Sequence, residues 1–258
     1  MGRSTLHVIG EIEVTDLRIL FESRGLESMP YPIAQYGPRS MGTADTYRRH
    51  VAAVTDSFTH GELAKFAAAL DISWARPDLR VEYYGHDVQS DEPSHRVAAF
   101  RRGDHACLLR QIGSDDRVEI ATLSPFDIGP AIAAMAPTLA PGPHPAVTVE
   151  GYTRTDEPTE IGLSSEVTRQ VVSGADIPHI DAEDVRGFGS VQSNWRPARD
   201  WGRDPRAELI RWVYTDGGAY LVQRDGMTAK PLTCPALQVR IDEGIAADVA
   251  SIRAHRSA

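Results

Sequence analysis

The feature that most constrains the fold is a pattern of three strand-like runs and a helix that occurs twice. The first copy runs from Arg96 to Ala136, and the second begins at Leu209 and ends in an Ile/Ala-rich helix. Gly/Asp turns separate the runs, and apolar residues alternate along them, which predicts β-hairpins. Pro125 and Pro235 stand just inside the two helix starts, where proline is favoured. The sequence therefore predicts a meander closed by a helix, built twice around an approximate two-fold axis.

The order of predicted elements divides the chain into two similar halves. Four prolines fall within the ten residues 136–145, a composition typical of an extended connector. We therefore expect one domain over 1–258, with halves 1–136 and 146–258 joined by a connector over 137–145. Because hairpins rather than crossovers join the runs, the sheet should be antiparallel and the fold class α+β.

Polar residues predict several helix starts in the first half, two of them near Thr43 and Thr59. Thr43 stands where it can cap a helix that carries Tyr47, Val51 and Val54 on one face. The sequence Thr59-His-Gly-Glu62 has the spacing of a capping box, which predicts a second helix start.

Composition and charge favour a soluble protein that does not bind the phosphate backbone of nucleic acids. The chain has 258 residues and a net charge of −9, whereas general nucleic-acid binding needs a positive surface. Cys107 and Cys234 are its two cysteines, which favours a reducing compartment over a disulfide framework. The first residues form no continuous apolar region, and no apolar run approaches the ~20 residues of a membrane span. We expect a cytoplasmic protein.

The sequence offers no catalytic or metal-binding motif. It lacks His-Glu-x-x-His, Cys-x-x-Cys, the phosphate-binding loop and Gly-x-Ser-x-Gly. Cys107 lies in an apolar run, which favours an inert buried thiol, and Cys234 at a helix start lacks a positioned base. We expect no enzyme, no cofactor and no metal, and a hydrolase that uses Cys234 or a His/Asp pair is the least favoured alternative.

One stretch leaves a second class of function open. Residues 195–212 interleave tryptophan and arginine, as in proteins that stack single-stranded bases. Asp200, Asp204 and Glu208 dilute this charge, which favours a solvated loop. The alternative hypothesis is thus a nucleic-acid-associated regulatory module that uses this Trp/Arg loop.

Several short motifs, in their order and spacing, resemble one known family. They are Leu26 with Met29-Pro30, the turn Ala75-Arg-Pro-Asp78, Arg101-Arg-Gly-Asp-His-Ala106, Gly187-Phe-Gly-Ser190, and Tyr214-Thr-Asp-Gly-Gly-Ala-Tyr-Leu221. Together they resemble the ESX secretion-associated EspG proteins over roughly residues 10 to 250. The chain departs from that pattern in its short helices between Ser164 and Arg186 and in Tyr31-Pro32.

The resemblance implies both a fold and a function. The fold is a central antiparallel sheet with two helical bundles from pseudo-two-fold-related halves. The implied function is that of a cytosolic chaperone of type VII (ESX) secretion. Such a chaperone binds the hydrophobic helical tip of the PPE subunit in a PE–PPE heterodimer, keeps it soluble and directs it to its secretion system. No catalysis is implied, and we expect a monomer or weak homodimer.

By region, the resemblance also implies where a client would bind, namely against the sheet and the C-terminal helical bundle. The expected contact residues lie on a strand, on an adjacent helix and at the rim of a polar loop: Phe188, Val191, Gln192, Asn194 and Trp195; Leu163, Val167 and Val171; His86 and His95. Because alternate strand residues face opposite sides, about half of the strand set can belong to the core.

Overall fold

A large β-sheet forms the centre of the computed structural model. The structure describes residues 6–27, 29–35, 42–88, 95–112, 116–137, 140–149, 177–195 and 207–257. The described strands are β1 (His7–Glu13), β2 (Leu79–Asp87), β3 (His95–Arg102), β4 (His105–Ile112), β5 (Arg117–Leu123), β6 (Val147–Val149), β7 (His179–Ile180), β8 (Val185–Asn194), β9 (Leu209–Thr215), β10 (Gly218–Val222) and β11 (Thr228–Pro231). Both predicted meanders are present, as β3–β4–β5 and β9–β10–β11.

The described strands form one sheet in the order β1-β5-β4-β3-β2-β8-β9-β10-β11-β6-β7. All neighbours pair antiparallel except β6 and β7, so the predicted α+β class with a central, mostly antiparallel sheet is confirmed. From the central pair β2–β8, each direction passes through one meander and then reaches the strand that opens the corresponding half. This order supports the predicted two-fold duplication, and the division at 136 and 146 stays a prediction.

Three helices cover one face of the first half, which we call the back face. They are α1 (Val14–Ser23), α2 (Ala44–His60) and α3 (Ala67–Trp74). Their buried side chains pack with Phe100, Cys107 and Leu109 of the meander. The back face thus carries a core of its own.

The helix starts predicted at Thr43 and Thr59 have different outcomes. Thr43 caps α2 as predicted, because its hydroxyl accepts a hydrogen bond from the Thr46 amide at 3.3 Å. The predicted capping box is wrong. Thr59 lies inside α2 and donates its hydroxyl to the Thr55 carbonyl, and α2 continues to His60.

The opposite face, which we call the front face, packs against α4 (Ile128–Met135) and α5 (Cys234–Ser257). Leu237, Ile241 and Ile245 of α5 are buried in the core that contains Val81 and Leu108 of the sheet. The Ile/Ala-rich helix predicted at the end of the second copy is present as α5. α5 therefore lies over the centre of the sheet, beside β8, the strand that carries four of the ten predicted contact residues.

The connector packs against the sheet rather than spanning open solvent. The Gly142 amide donates to the Ala219 carbonyl at 3.1 Å, and the Ala219 amide donates to the Ala140 carbonyl at 2.8 Å. A Cβ on Gly142 would lie 1.9 Å from the ring of Tyr220, so this aromatic side chain covers the connector.

None of the helices in the described part of the chain has the length and apolar character that a membrane span requires.

Candidate functional site

Strand β8 occupies the centre of the sheet between β2 and β9, and its residues alternate between the two faces. Val191 lies across from Tyr83 and Ile210, and these positions belong to the front face with α5. Phe188 lies across from His86, and Gln192 across from Glu82, on the back face. The predicted contact residues of this strand are therefore divided between two surfaces.

The glycines of Gly187-Phe-Gly-Ser190 make room for two aromatic rings of β9. A Cβ on Gly189 would lie 2.1 Å from Trp212 Cζ2, and one on Gly187 would lie 2.3 Å from the hydroxyl of Tyr214. Trp212 in turn stacks on Tyr83 with ring centroids 5.9 Å apart. The motif thus has a packing role at the centre of the front face.

Phe188 belongs to a small aromatic cluster on the back face. Its ring centroid lies 5.5 Å from that of His86 and 6.0 Å from that of Tyr84. The guanidinium of Arg96 stands 5.3 Å above the Tyr84 ring, within the range of a cation–π contact. His95 pairs with Gly85 at the start of β3, so His86 and His95 lie at the same end of neighbouring strands.

Gln192 and Asn194 are buried, with 2% and 5% of their surface exposed. They lie across from Glu82 and Arg80 of β2, whose side chains form a buried ion pair at 2.5 Å. Burial lowers the pKa of Arg80, and the neighbouring Glu82 carboxylate opposes this shift. Gln192 Nε2 also lies 3.4 Å from the Ala207 carbonyl that accepts its hydrogen bond. These side chains form an internal polar row, so an arginine placed here would test folding rather than binding.

A groove of about 1410 Å³ lies between α5 and the adjoining parts of β8, β9 and β10. Its apolar lining includes Val191, Ile210, Leu221 and Ile241, which also belong to or pack against the front-face core. Trp195 lines it as well, and the Trp195 ring lies 5.7 Å from that of His255 near the end of α5. The groove therefore joins a sheet floor to a helical wall.

Charged side chains border this apolar lining in pairs. On the sheet side Arg224 and Glu208 approach to 2.9 Å, and on α5 Arg240 and Glu243 approach to 3.3 Å. All four side chains are more than half exposed, so such pairs contribute little to stability and are free to exchange partners. Apolar centre and polar border together are the usual anatomy of a protein–protein contact.

One carboxyl group lies where the helix meets the strand. Asp248 of α5 accepts a hydrogen bond from the hydroxyl of Ser193 on β8. Burial raises the pKa of Asp248, and the hydrogen bond from Ser193 counteracts part of that rise. This contact fixes α5 to the strand at one end of the groove.

Comparison with known proteins places the chain in a family. The EspG family model matches residues 13–243. The chain belongs to the EspG family. The solved structures it resembles include a chain of "Structure of the Mycobacterium tuberculosis type VII secretion system chaperone EspG5 in complex with PE25-PPE41 dimer". That match has 14% sequence identity and a TM-score of 0.45, and it covers 93% of this chain and 94% of that one. No curated protein matches the chain.

The structure of this EspG-family chain brings only part of the predicted contact set together. Val191, Asn194 and Trp195 line the groove, whereas His86 and Phe188 form the back-face cluster at the other end of β8. Leu163, Val167 and Val171 lie outside the described residues, as do residues 89–94 of the loop between His86 and His95. The binding surface itself thus stays a prediction.

Most residues that line the groove were missing from the predicted set, among them Ile210, Leu221, Ile241 and Gly244. The first two belong to the second meander and the last two to the helix that follows it. The sequence marks each of these elements as partly apolar. The groove becomes visible only when β9, β10 and α5 are packed together in the structure.

The structure also limits the nucleic-acid alternative. Trp212, one end of the Trp/Arg segment, is 1% exposed and stacks on Tyr83 in the core, so its ring has no free face for a base. Residues 196–206 of that segment lie outside the described residues. The alternative therefore loses one of its aromatic stacking positions.

The two cysteines lie in different surroundings. Cys107 is buried in the back-face core, and burial raises the pKa of its thiol far above the ordinary value, which fits the inert thiol that was predicted. The Cys234 thiol donates to the Ala133 carbonyl at 3.3 Å. It therefore helps to hold the start of α5 against α4.

Proposed function

We propose that this EspG-family protein is a cytoplasmic chaperone of type VII secretion that binds a PE–PPE heterodimer through the helical tip of the PPE subunit. The observation that carries the proposal is the match of the EspG family model over residues 13–243. In this role the protein keeps the tip soluble and directs the pair to its secretion system. It acts by binding, without catalysis.

The groove beside α5 is the surface that we propose for the helical tip. One turn of an α-helix is about 5.4 Å long and about 10 Å wide, which corresponds to roughly 400 Å³. The groove of about 1410 Å³ can therefore receive the end of a helix together with the turn that follows it. Ile210 and Leu221 are half-buried at its sheet side, so a partner would complete their burial.

The client needs such a chaperone because the helical tip of its PPE subunit exposes apolar side chains to water. A contiguous apolar patch of more than a few hundred Å² promotes association between copies of a protein. An apolar groove with a charged border covers such a patch and leaves the complex with a polar surface. A specific contact of this kind buries on the order of 1,200–2,000 Å² in total.

Co-expression tests the proposal. The protein and a PE–PPE pair encoded in neighbouring reading frames should co-elute in size-exclusion chromatography. Ile210→Arg places a charge on the groove floor, and it should abolish co-elution. Val239→Arg is the matched control, because Val239 lies on α5, outside the described groove lining, and is 56% exposed.

Two outcomes would contradict the proposal. Failure of the wild-type protein to co-elute with the pair would refute the function. Equal co-elution of Ile210→Arg and Val239→Arg would show that the client binds elsewhere on the molecule. Thermal unfolding of each variant shows whether the fold survives the charge, and the milder Leu221→Gln replaces Ile210→Arg where it does not.

A further inference from the structure

Helix α5 carries a glycine in its interior, at Gly244. Glycine is the least favourable helix residue after proline, because its backbone loses the most freedom on folding. The backbone at Gly244 is helical and lacks the positive φ found at Gly218 and Gly226. Helix geometry therefore gives no reason for glycine at this position.

Packing within the described part of the chain gives no reason either. A Cβ on Gly244 would lie 4.0 Å from the Cβ of Ser193, an ordinary van der Waals contact. Gly129 of α4 shows the contrast, because a Cβ there would lie 1.9 Å from an Asp242 carboxylate oxygen. The contact between α4 and α5 needs its glycine, whereas the described surroundings of Gly244 have room for alanine.

Gly244 lines the groove. It follows Ile241 by three residues and precedes Asp248 by four, so all three lie on the helix face that looks toward β8. Ile241 is buried, and Asp248 bonds to Ser193. The missing side chain at Gly244 thus leaves the helix backbone open toward the groove between two fixed contacts.

We propose that Gly244 determines which client fits, because it lets a bulky apolar side chain at the helical tip of the PPE subunit approach the backbone of α5. This inference rests on the proposed function. Glycine is the residue that permits close approach of a backbone to a ligand. A residue that departs from local helix preference without a packing reason points to a functional constraint.

The proposal predicts opposite effects on stability and on binding. Gly244→Ala should raise the melting temperature by about 2–4 °C, because alanine favours the helix and its methyl group fits. The same variant should weaken binding of the PE–PPE heterodimer by roughly 5- to 100-fold, because the methyl group occupies the space of the client side chain. Gly244→Leu should abolish binding while the protein remains folded.

The experiment measures the melting temperature and the Kd for the purified PE–PPE heterodimer, by calorimetry, for wild type, Gly244→Ala and Gly244→Leu. Ala246→Leu is the matched control, because Ala246 is exposed and lies outside the described groove lining. It should leave the Kd unchanged. A lower melting temperature for Gly244→Ala would show that the fold itself requires the glycine and would overturn the inference.

The two proposals fail in different ways. Tight binding by wild type and by Gly244→Leu alike would overturn the role of Gly244 and leave the proposed function standing. Absence of binding by the wild-type protein would refute the proposed function, and the role of Gly244 with it. Loss of binding in Ala246→Leu as well would remove the specific role of position 244.

Discussion

Replacement of Gly189 by alanine should destabilise the protein, because the added methyl group meets the ring of Trp212. The new Cβ would lie 2.1 Å from Cζ2, 2.4 Å from Cε2 and 2.8 Å from Cη2 of that ring. A carbon–carbon contact needs about 3.5 Å, so ring or strand must move by roughly 1.4 Å. Trp212 is fully buried and stacked on Tyr83, and β8 is paired on both sides. Neither can move independently.

The size of the effect follows from two opposing contributions. Overpacking of a well-packed core costs about 1–3 kcal/mol, and a displacement of this size belongs to the upper part of that range. Alanine also restricts the unfolded chain more than glycine does, which restores about 0.4–1 kcal/mol. We therefore expect a net loss of about 2 kcal/mol in the free energy of unfolding. For a chain of this length that loss lowers the melting temperature by about 4–8 °C.

Urea denaturation followed by circular dichroism measures this loss, and near-ultraviolet dichroism reports on the surroundings of Trp212. Gly217→Ala is the matched control. A Cβ there would lie 3.5 Å from the Thr215 hydroxyl in an exposed turn, so its effect should stay within about 0.5 kcal/mol. A Gly189→Ala variant as stable as wild type would refute the role of the glycine in this ring contact.

Three further changes test the fold elsewhere. Thr43→Ala removes the cap of α2 and should cost about 1 kcal/mol in urea denaturation, whereas Thr55→Ala, at an exposed position within α2, should cost nothing. Glu82→Gln leaves Arg80 buried beside a neutral group and should cost about 3–5 kcal/mol, so an unchanged urea midpoint would contradict the buried ion pair. Burial raises the pKa of Asp242, so the folded state binds its proton more tightly than the unfolded state does. Its contribution to stability is therefore present below the unfolded pKa and is lost as pH rises through the folded pKa. Asp242→Asn has no charge to bury and should not lose stability as the pH rises. The variant should therefore be more stable than wild type at pH 7, and no more stable than wild type below pH 4.

The two meanders could be predicted because their signals are local. Gly/Asp turns, period-two alternation and an opening proline fix each hairpin and the helix after it, and β3–β5 and β9–β11 lie where these signals predict. Where two local signals compete, the sequence is less decisive. Thr59 has the spacing of a cap, yet α2 runs through it to His60.

The connector shows a different limit of sequence reasoning. Its prolines predict an extended segment, and they do not say what the segment touches. Gly142 is hydrogen-bonded to β10 and covered by Tyr220, which is distant in the sequence. Contacts of this kind depend on the whole fold.

The candidate site was only partly predictable for the same reason. Alternation along β8 suggests that Gln192 and Asn194 face solvent, because polar residues usually do. In the structure they are buried beside the Arg80–Glu82 pair, which supplies polar neighbours inside the protein. Nothing local in the sequence distinguishes a solvated polar row from a buried one. The groove beside α5 likewise arises only from the packing of α5 against β8, β9 and β10.

Titration calorimetry of a purified PE–PPE heterodimer into the purified protein tests the central claim most directly. We predict binding of one heterodimer per chain, a loss of affinity of more than about 100-fold in Ile210→Arg, which corresponds to about 2.8 kcal/mol, and unchanged affinity in Val239→Arg. Absence of heat with the wild-type protein, or equal affinities for wild type and Ile210→Arg, would contradict it.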